Sequence, residues 1–149
     1  MTNDTLFQLS SLLVIPFWLL MLALPRWPWA VRLIRTPWIA VPPALIYAAV
    51  IVPTLLQMGP GLFSAFGSLA GVMGLLATPQ GALAGWAHFL AFDLFTGRWA
   101  YLDAIERKIP ALLMVPVLFL IFMLGPIGLL LYLLLRLVSG TRASNQPAS

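Results

Sequence analysis

The run Pro79–Gly97 reads PQGALAGWAHFLAFDLFTG and is followed by Arg98 and Trp99. As an α-helix its nineteen residues would extend ~28 Å, close to the ~30 Å thickness of the hydrocarbon core of a bilayer. The run contains two ionisable side chains, Asp93 and the one histidine of the chain, His88. Such groups inside a membrane helix are costly and usually face a partner, a cavity or a ligand. The run therefore predicts a membrane span and the first place to look for function.

The composition of the whole chain also predicts a membrane protein. Of its 149 residues, 62% are hydrophobic and only 8% are charged, which is more apolar surface than a soluble domain of this size can hide from water. The apolar runs are long and unbroken and lack the alternation typical of strands. We therefore expect an all-α integral membrane protein, with a single transmembrane domain over residues 1–138 and a disordered polar tail over residues 139–149.

The rare residue types exclude several kinds of site. The chain has no cysteine, one histidine and four acidic residues, so disulfides, cysteine-bound metals and histidine-rich metal sites are excluded, and we expect neither a metal nor a cofactor. The eight basic residues cluster in short loops, which indicates topology signals in a lipid bilayer rather than a nucleic-acid surface. The start of the chain lacks a basic n-region, so the first apolar run is expected to remain in the mature protein.

Four apolar runs are long enough to cross a bilayer as helices. They are Leu6–Leu24, Trp38–Leu56, the run that begins near Pro79, and Ile109–Leu135. The last is long enough to tilt, or to bend at Pro116 or at the pair Gly125-Pro126.

The number of spans depends on the glycine-rich run Gly61–Ala77. On a helix it divides into an apolar side and a small-residue side, which is typical of an interfacial or re-entrant helix. With four spans, six basic residues share one side and only Arg136 and Arg142 lie on the other; five spans give a split of five to three. The positive-inside rule therefore favours four spans plus one interfacial or re-entrant helix, with both termini on the non-cytoplasmic side.

His88 and Asp93 are five positions apart, which on a helix separates them by about 140° and ~7.5 Å. They therefore cannot bond to each other locally, and either flank one ligand or meet different neighbouring helices. His88 either forms a polar contact with another helix, donates or accepts a proton, or orients a ligand. Asp93 either forms an ion pair with Arg98 or acts as a general acid or base.

Three further residues, Trp86, Asp103 and Arg107, lie in this run or shortly after it. Trp86 shares the Asp93 face of the helix, where it either stacks on a flat or polyene ligand or packs in the core. Asp103 and Arg107 are spaced to pair on a surface turn.

Three motifs resemble those of the abscisic-acid-deficient-four-like family, which comprises plant membrane proteins and their bacterial relatives. The resemblance covers nearly the whole chain and is carried by Trp86-x-His88-x-x-x-x-Asp93-Leu94-Phe95-x-x-Arg98 with Tyr101-x-Asp103, by Pro16-Phe17-x-x-Leu20-Met21, and by the run FMLGPIGLLLY over residues 122–132. The plant members are plastid proteins needed to make neoxanthin from violaxanthin.

The resemblance implies an acid–base isomerase of a carotenoid epoxide end group, which needs neither a metal nor a redox cofactor. In such a reaction an acid protonates the epoxide oxygen and a base removes a proton from the polyene carbon. The resemblance points to His88 and Asp93 as the candidate catalytic pair. It points to Trp86, Arg98 and Asp103 as candidate substrate-binding residues.

The alternative function is a non-catalytic membrane scaffold, which binds pigment or helps to assemble a larger complex. The expected partners are the lipid bilayer, a carotenoid or other isoprenoid, and a second copy of the chain or a larger membrane complex. The expected location is a bacterial inner (cytoplasmic) or photosynthetic membrane, crossed several times.

Overall fold

The computed structural model describes residues 2–59 and 61–143, and of residues 62 and 140–143 only the backbone. Within these ranges all the regular secondary structure is helical, which confirms the predicted all-α class. The helices are α1 (Asn3–Ala23), α2 (Pro28–Ile34), α3 (Val41–Met58), α4 (Gly61–Phe66), α5 (Leu69–Leu76), α6 (Pro79–Glu106), α7 (Ala111–Leu124) and α8 (Pro126–Ala143), with a 3-10 turn at Pro37–Ala40.

Two helical segments in the described part of the chain are long and apolar enough to cross a membrane, Asn3–Ala23 and Pro37–Met58. Only 22% of each is buried, whereas the core helix of a soluble protein is mostly buried. Helix α6 is not among them, because Gln80, His88 and Asp93 lower its hydropathy. By length and composition, these two segments indicate association with a membrane.

The helices divide into two compact units. The first comprises Met1–Ile15 and Ala40–Phe92, and the second comprises Pro16–Ile39 and Asp93–Ser149. Helices α1 and α6 each contribute residues to both units.

The first unit has a small apolar core on α3 and α6. Val50, Leu83 and Ala84 are buried there, and Tyr47 and Leu6 pack against them. The run predicted as one interfacial or re-entrant helix forms two short helices, α4 and α5, and no residue of α5 is buried.

Two hydroxyl groups fix the helix starts in this part of the first unit. Ser68 accepts a hydrogen bond of 3.1 Å from the Gly71 N–H at the start of α5. Thr78 accepts one of 3.0 Å from the Gly81 N–H at the start of α6. Such N-caps stabilise a helix by about 1 kcal/mol each.

The second unit is packed around Trp18, which is buried in α1. Its ring lies 5.1 Å from the ring of Phe122 on α7. A Cβ at Gly97 of α6 would come within 2.4 Å of the Trp18 ring, so a larger residue at position 97 would displace this side chain.

The stretch Ile109–Leu135, predicted as one span, is instead two helices that fold back on each other. Helix α7 ends at Leu124 and is followed by Gly125, whose φ of +35° is rarely adopted by residues with a side chain. Pro126 begins α8. A Cβ at Gly128 would lie 2.2 Å from the backbone nitrogen of Ile121. The two backbones therefore touch, and the absence of a side chain at position 128 permits this approach.

The hairpin of α7 and α8 returns the chain toward the end of α6. The guanidinium group of Arg136 on α8 lies 2.9 Å from the carboxylate of Asp103. The predicted placement of Arg136 on the side opposite the loop after α6 is therefore wrong. It followed from treating Ile109–Leu135 as a single span, tilted or bent, that ends on the opposite side of the membrane.

Helix α8 continues to Ala143, five residues into the stretch 139–149 that is predicted as a disordered tail. Residues 144–149 of that stretch lie outside the described residues.

Candidate functional site

The first unit contains a cavity of about 230 Å³, lined by residues from α3 to α6. Five polar side chains line it, and the rest of the lining is apolar or glycine. The polar residues are Tyr47, Thr54, Thr78, Gln80 and His88. Because ligand pockets usually measure ~300–1,000 Å³, this cavity suits one end of a larger molecule rather than the whole of it.

Helix periodicity places the α6 lining on one face. Gln80, Ala84 and His88 follow each other at intervals of four residues, which spreads them over ~12 Å along the helix. Gly85, between Ala84 and His88, also lines the cavity, and a Cβ there would lie 3.3 Å from the side chain of Leu76 on α5.

The imidazole of His88 sits among aromatic rings. It stacks on Phe92 with ring centroids 4.6 Å apart and meets Tyr47 edge-on at 5.5 Å. His88 and Tyr47 are both half-buried. These contacts orient the imidazole without using its two nitrogens, which stay available for a hydrogen bond or a proton transfer.

Hydrogen bonding separates the polar lining into two groups. The hydroxyl groups of Thr54 and Thr78 each donate to a backbone carbonyl one turn earlier, at 2.9 and 2.8 Å. Among the described residues, by contrast, the side chains of His88, Tyr47 and Gln80 have no hydrogen-bond partner. His88 and Tyr47 are half-buried and Gln80 is exposed, so their polar atoms can bond to a ligand that carries oxygen atoms in a cavity that is otherwise mainly apolar.

Trp86 belongs to the first unit but does not line the cavity. Its indole N–H donates a hydrogen bond of 2.9 Å to the hydroxyl of Ser11 on α1. Its ring lies 5.4 Å from that of Phe7. These contacts tie α6 to α1, and the predicted role of Trp86 in binding a substrate stays a prediction.

Asp93 belongs to the second unit and lies at the turn between α7 and α8. A Cβ added to Gly125 would be 2.5 Å from its carboxylate oxygen Oδ1. The ion pair with Arg98 that we considered is not formed between these two described residues. The structure thus gives Asp93 a place beside the hairpin turn, and its predicted catalytic role stays a prediction.

Arg98 binds the backbone at the end of α2. Its guanidinium group donates to the carbonyl oxygens of Ile34 at 2.9 Å, of Thr36 at 3.2 Å, and of Arg35. A cation at a helix C-terminus satisfies carbonyls that have no partner within the helix. These bonds hold α2 against α6 within the second unit, while the predicted contact of Arg98 with a substrate is untested.

Asp103 is the centre of an ionic cluster in the second unit. Its carboxylate accepts hydrogen bonds from Arg107 at 2.8 Å, from Arg136 at 2.9 Å, and from the hydroxyl of Tyr132. The predicted pairing with Arg107 is confirmed. Burial disfavours the charged carboxylate, but the hydrogen bonds from Tyr132, Arg136 and Arg107 outweigh this effect and hold the pKa of Asp103 below its ordinary value.

Replacing Asp103 by asparagine should lower the stability of the protein by about 1–2 kcal/mol, because Arg107 and Arg136 lose their carboxylate. Thermal unfolding in mild detergent would measure the loss, with Glu106→Gln as the control, since Glu106 is exposed. Because the pKa of Asp103 is lowered on folding, its contribution is present above the unfolded value of about 4 and disappears as the pH falls through the folded value. A deficit that persists unchanged in acid would contradict this account.

Sequence reasoning missed part of the cavity lining. Gln80 carried a signal, because it lies two steps of four residues before His88 on the same helix face. Tyr47 and Thr54 carried none, because the sequence does not reveal which face of α3 packs against α6. Tyr132 and Arg136 were missed as partners of Asp103 for the same reason.

Comparison with known proteins gives a family match that covers most of the chain. A family model described as ABA DEFICIENT 4-like matches residues 5–132. This range includes all the residues that line the cavity, together with Asp93, Arg98 and Asp103. No curated protein and no solved structure matches the chain.

Proposed function

Because the chain belongs to the ABA DEFICIENT 4-like family, we propose that it is a membrane protein of carotenoid metabolism, which isomerises an epoxide end group by acid–base chemistry. One observation carries this proposal. The cavity of the first unit is mainly apolar, yet it presents His88 and Tyr47, whose side chains have no hydrogen-bond partner in the part of the chain that the structure describes. An oxygen-bearing ring at the end of a long hydrocarbon chain has the chemistry that such a lining recognises.

The size of the cavity also fits this class of ligand. At about 230 Å³ it accommodates a ring rather than a complete carotenoid, so the polyene chain would extend into the surrounding lipid. Apolar residues such as Ile51, Val72 and Leu75 would contact the ring. Gln80, which is exposed, would bind a hydroxyl group on the ring or at the entrance.

The proposed reaction is an isomerisation. One proton moves from a carbon to an oxygen atom, and the molecule neither gains nor loses an atom. His88 in its protonated form donates a proton to the epoxide oxygen, and the bond from this oxygen to the carbon that bears the polyene chain breaks. A proton then leaves the neighbouring polyene carbon, and its bonding electrons form the second double bond of an allene. The neutral imidazole accepts this proton and is restored, so a single histidine completes the cycle.

We propose that α6 crosses the bilayer over Pro79–Gly97, in addition to Asn3–Ala23 and Pro37–Met58. The hairpin of α7 and α8 is then a fourth membrane element in place of the predicted fourth span. At ~21 Å, α7 alone is shorter than the hydrocarbon core. This places His88 at bilayer depth, where a carotenoid dissolves, in an inner bacterial or photosynthetic membrane.

A non-catalytic role remains the competing function, because the same cavity would hold a pigment without changing it. A scaffold would purify in mild detergent with a stable stoichiometric partner and with unaltered pigment. An isomerase would convert the pigment without such a partner.

The decisive experiment is to express the chain in hosts that accumulate epoxidised xanthophylls and to separate the pigments by chromatography. We expect a new isomer of unchanged mass, and less of it with Val72→Trp, which fills the cavity from α5. Met73→Trp is the matched control, because Met73 is 62% exposed and does not line the cavity. Unchanged pigments in hosts that offer several epoxides would contradict the proposal.

A further inference from the structure

All eight basic residues of the chain belong to the second unit, and the first unit has none. The side chains of seven of them are described, all except Arg142. The positive charge of the second unit does not depend on the cavity, which lies in the first unit, or on carotenoid chemistry.

Hydrogen bonds bring these residues to one end of the second unit. Arg26, after α1, donates to the carbonyl of Ile109 at 2.9 Å, just before α7. Arg98 holds the end of α2, and Arg136 of α8 reaches Asp103 near the end of α6. The ends of α1, α2 and α6, the start of α7 and the returning helix α8 therefore form one basic face.

The basic face has more cations than its own carboxylates can neutralise. Seven basic side chains share two carboxylates, Asp103 and Glu106, and Asp103 already binds two of the cations. The third carboxylate of the unit, Asp93, lies at the far end of the hairpin, beside Gly125. Arg32, Arg35 and Lys108 are exposed and, among the described residues, form neither a hydrogen bond nor an ion pair through their side chains.

Exposed tryptophans accompany the basic side chains on the segment from Arg26 to Trp38. Trp27, Trp29 and Trp38 are 47%, 64% and 72% exposed, and the guanidinium of Arg32 lies 5.9 Å over the ring of Trp29. Tryptophan favours the level of the lipid headgroups, where its ring is in an apolar layer and its N–H is in a polar one. This combination favours a lipid surface over a nucleic acid or an acidic protein.

We infer that the basic face of the second unit binds the phosphate groups of anionic phospholipids, and that it lies at the cytoplasmic leaflet. That leaflet carries a negative surface potential that attracts basic segments, and the arginine fork matches a phosphate group. The inference rests on the membrane placement proposed above but not on the isomerase. In this orientation every basic residue, including Arg136 of the returning hairpin, obeys the positive-inside rule.

Lipid selectivity tests the inference. The full chain is reconstituted in phosphatidylcholine vesicles with a trace of spin-labelled phosphatidylglycerol or spin-labelled phosphatidylcholine, and the fraction of immobilised label is measured. We expect a several-fold preference for phosphatidylglycerol that weakens with sodium chloride. The triple variant Arg32→Gln, Arg35→Gln, Lys108→Gln should lose at least half of this preference.

The matched control keeps the charge and changes the side chains, with Arg32→Lys, Arg35→Lys and Lys108→Arg. It should retain most of the preference, and circular dichroism of both triple variants should show the helical content of the wild type. Sodium phosphate should displace the labelled lipid no better than sodium chloride at equal ionic strength. The inference is overturned if the wild type shows no preference, if the glutamine variant retains it in full, or if phosphate alone displaces the lipid.

Discussion

Replacing His88 by glutamine should lower the turnover of an epoxidised xanthophyll by ~100-fold or more while the protein still binds the pigment. Glutamine keeps a hydrogen-bonding group in the cavity but cannot carry a proton at neutral pH. General acid–base groups usually contribute 10²–10⁴-fold to a rate. The packing loss should be small, because His88 forms ring contacts but no hydrogen bond with the described residues.

Pigment chromatography measures the turnover, and the absorbance of the purified protein measures the bound pigment. Gln57→Ala is the control, because Gln57 is an exposed polar residue of α3 outside the cavity. If the glutamine variant converted pigment at the wild-type rate, His88 would have no part in the chemistry. If it lost both conversion and bound pigment, His88 would be a binding residue instead.

A parallel Asp93→Asn variant tests the other half of the predicted catalytic pair. Asp93 lies against Gly125 at the hairpin turn, so a purely structural role predicts lower stability with residual conversion. Loss of conversion at unchanged stability would instead support the predicted acid–base role. The same variant therefore distinguishes the two interpretations of this residue.

The sequence predicted the helices better than their packing. Long apolar runs between charged loops identified α1, α3 and α6 as helices, because the length and composition of each run can be read from that run alone. The same criterion could not separate one tilted span over Ile109–Leu135 from two helices that fold back. The pair Gly125-Pro126 carried the local signal for a break, but the direction of the chain after it depends on how closely Gly128 approaches α7.

The candidate site shows the same limit. His88 was identified because a histidine in an apolar run is unusual, and this argument needs only one helix. Its neighbours on α3 and α5 depend on contacts between helices that the sequence does not specify. Arg98 and Asp103 also stand out in the sequence, yet their observed partners are a helix end and an ionic cluster. A rare polar residue in an apolar run thus indicates an important position, but it does not reveal which groups that residue contacts.

Replacing Gly128 by alanine should destabilise the protein by about 2–3 kcal/mol, because the new methyl group would meet the backbone of α7. Its ideal position is 2.2 Å from the nitrogen of Ile121 and 2.5 Å from the carbonyl carbon of Leu120. Backbone atoms cannot rotate away as a side chain can, so α7 and α8 must separate. Thermal unfolding in mild detergent would measure the change.

Gly74→Ala is the matched control for the Gly128 variant. Gly74 is also a helical glycine, but a Cβ there would meet nothing within 4 Å. Alanine has the higher helix propensity, so this change should leave the stability equal or raise it by up to about 1 kcal/mol. Equal stability of the two variants would contradict the close contact between α7 and α8.

Coupling between Gly128 and Asp103 tests whether the hairpin positions Arg136. If the hairpin opens in Gly128→Ala, Arg136 no longer reaches Asp103, and Asp103→Asn should cost less in that background than in the wild type. The two variants would then be non-additive, although the residues themselves do not touch, because both act through Arg136. Strict additivity would mean that Arg136 reaches Asp103 without the close approach of α7 and α8.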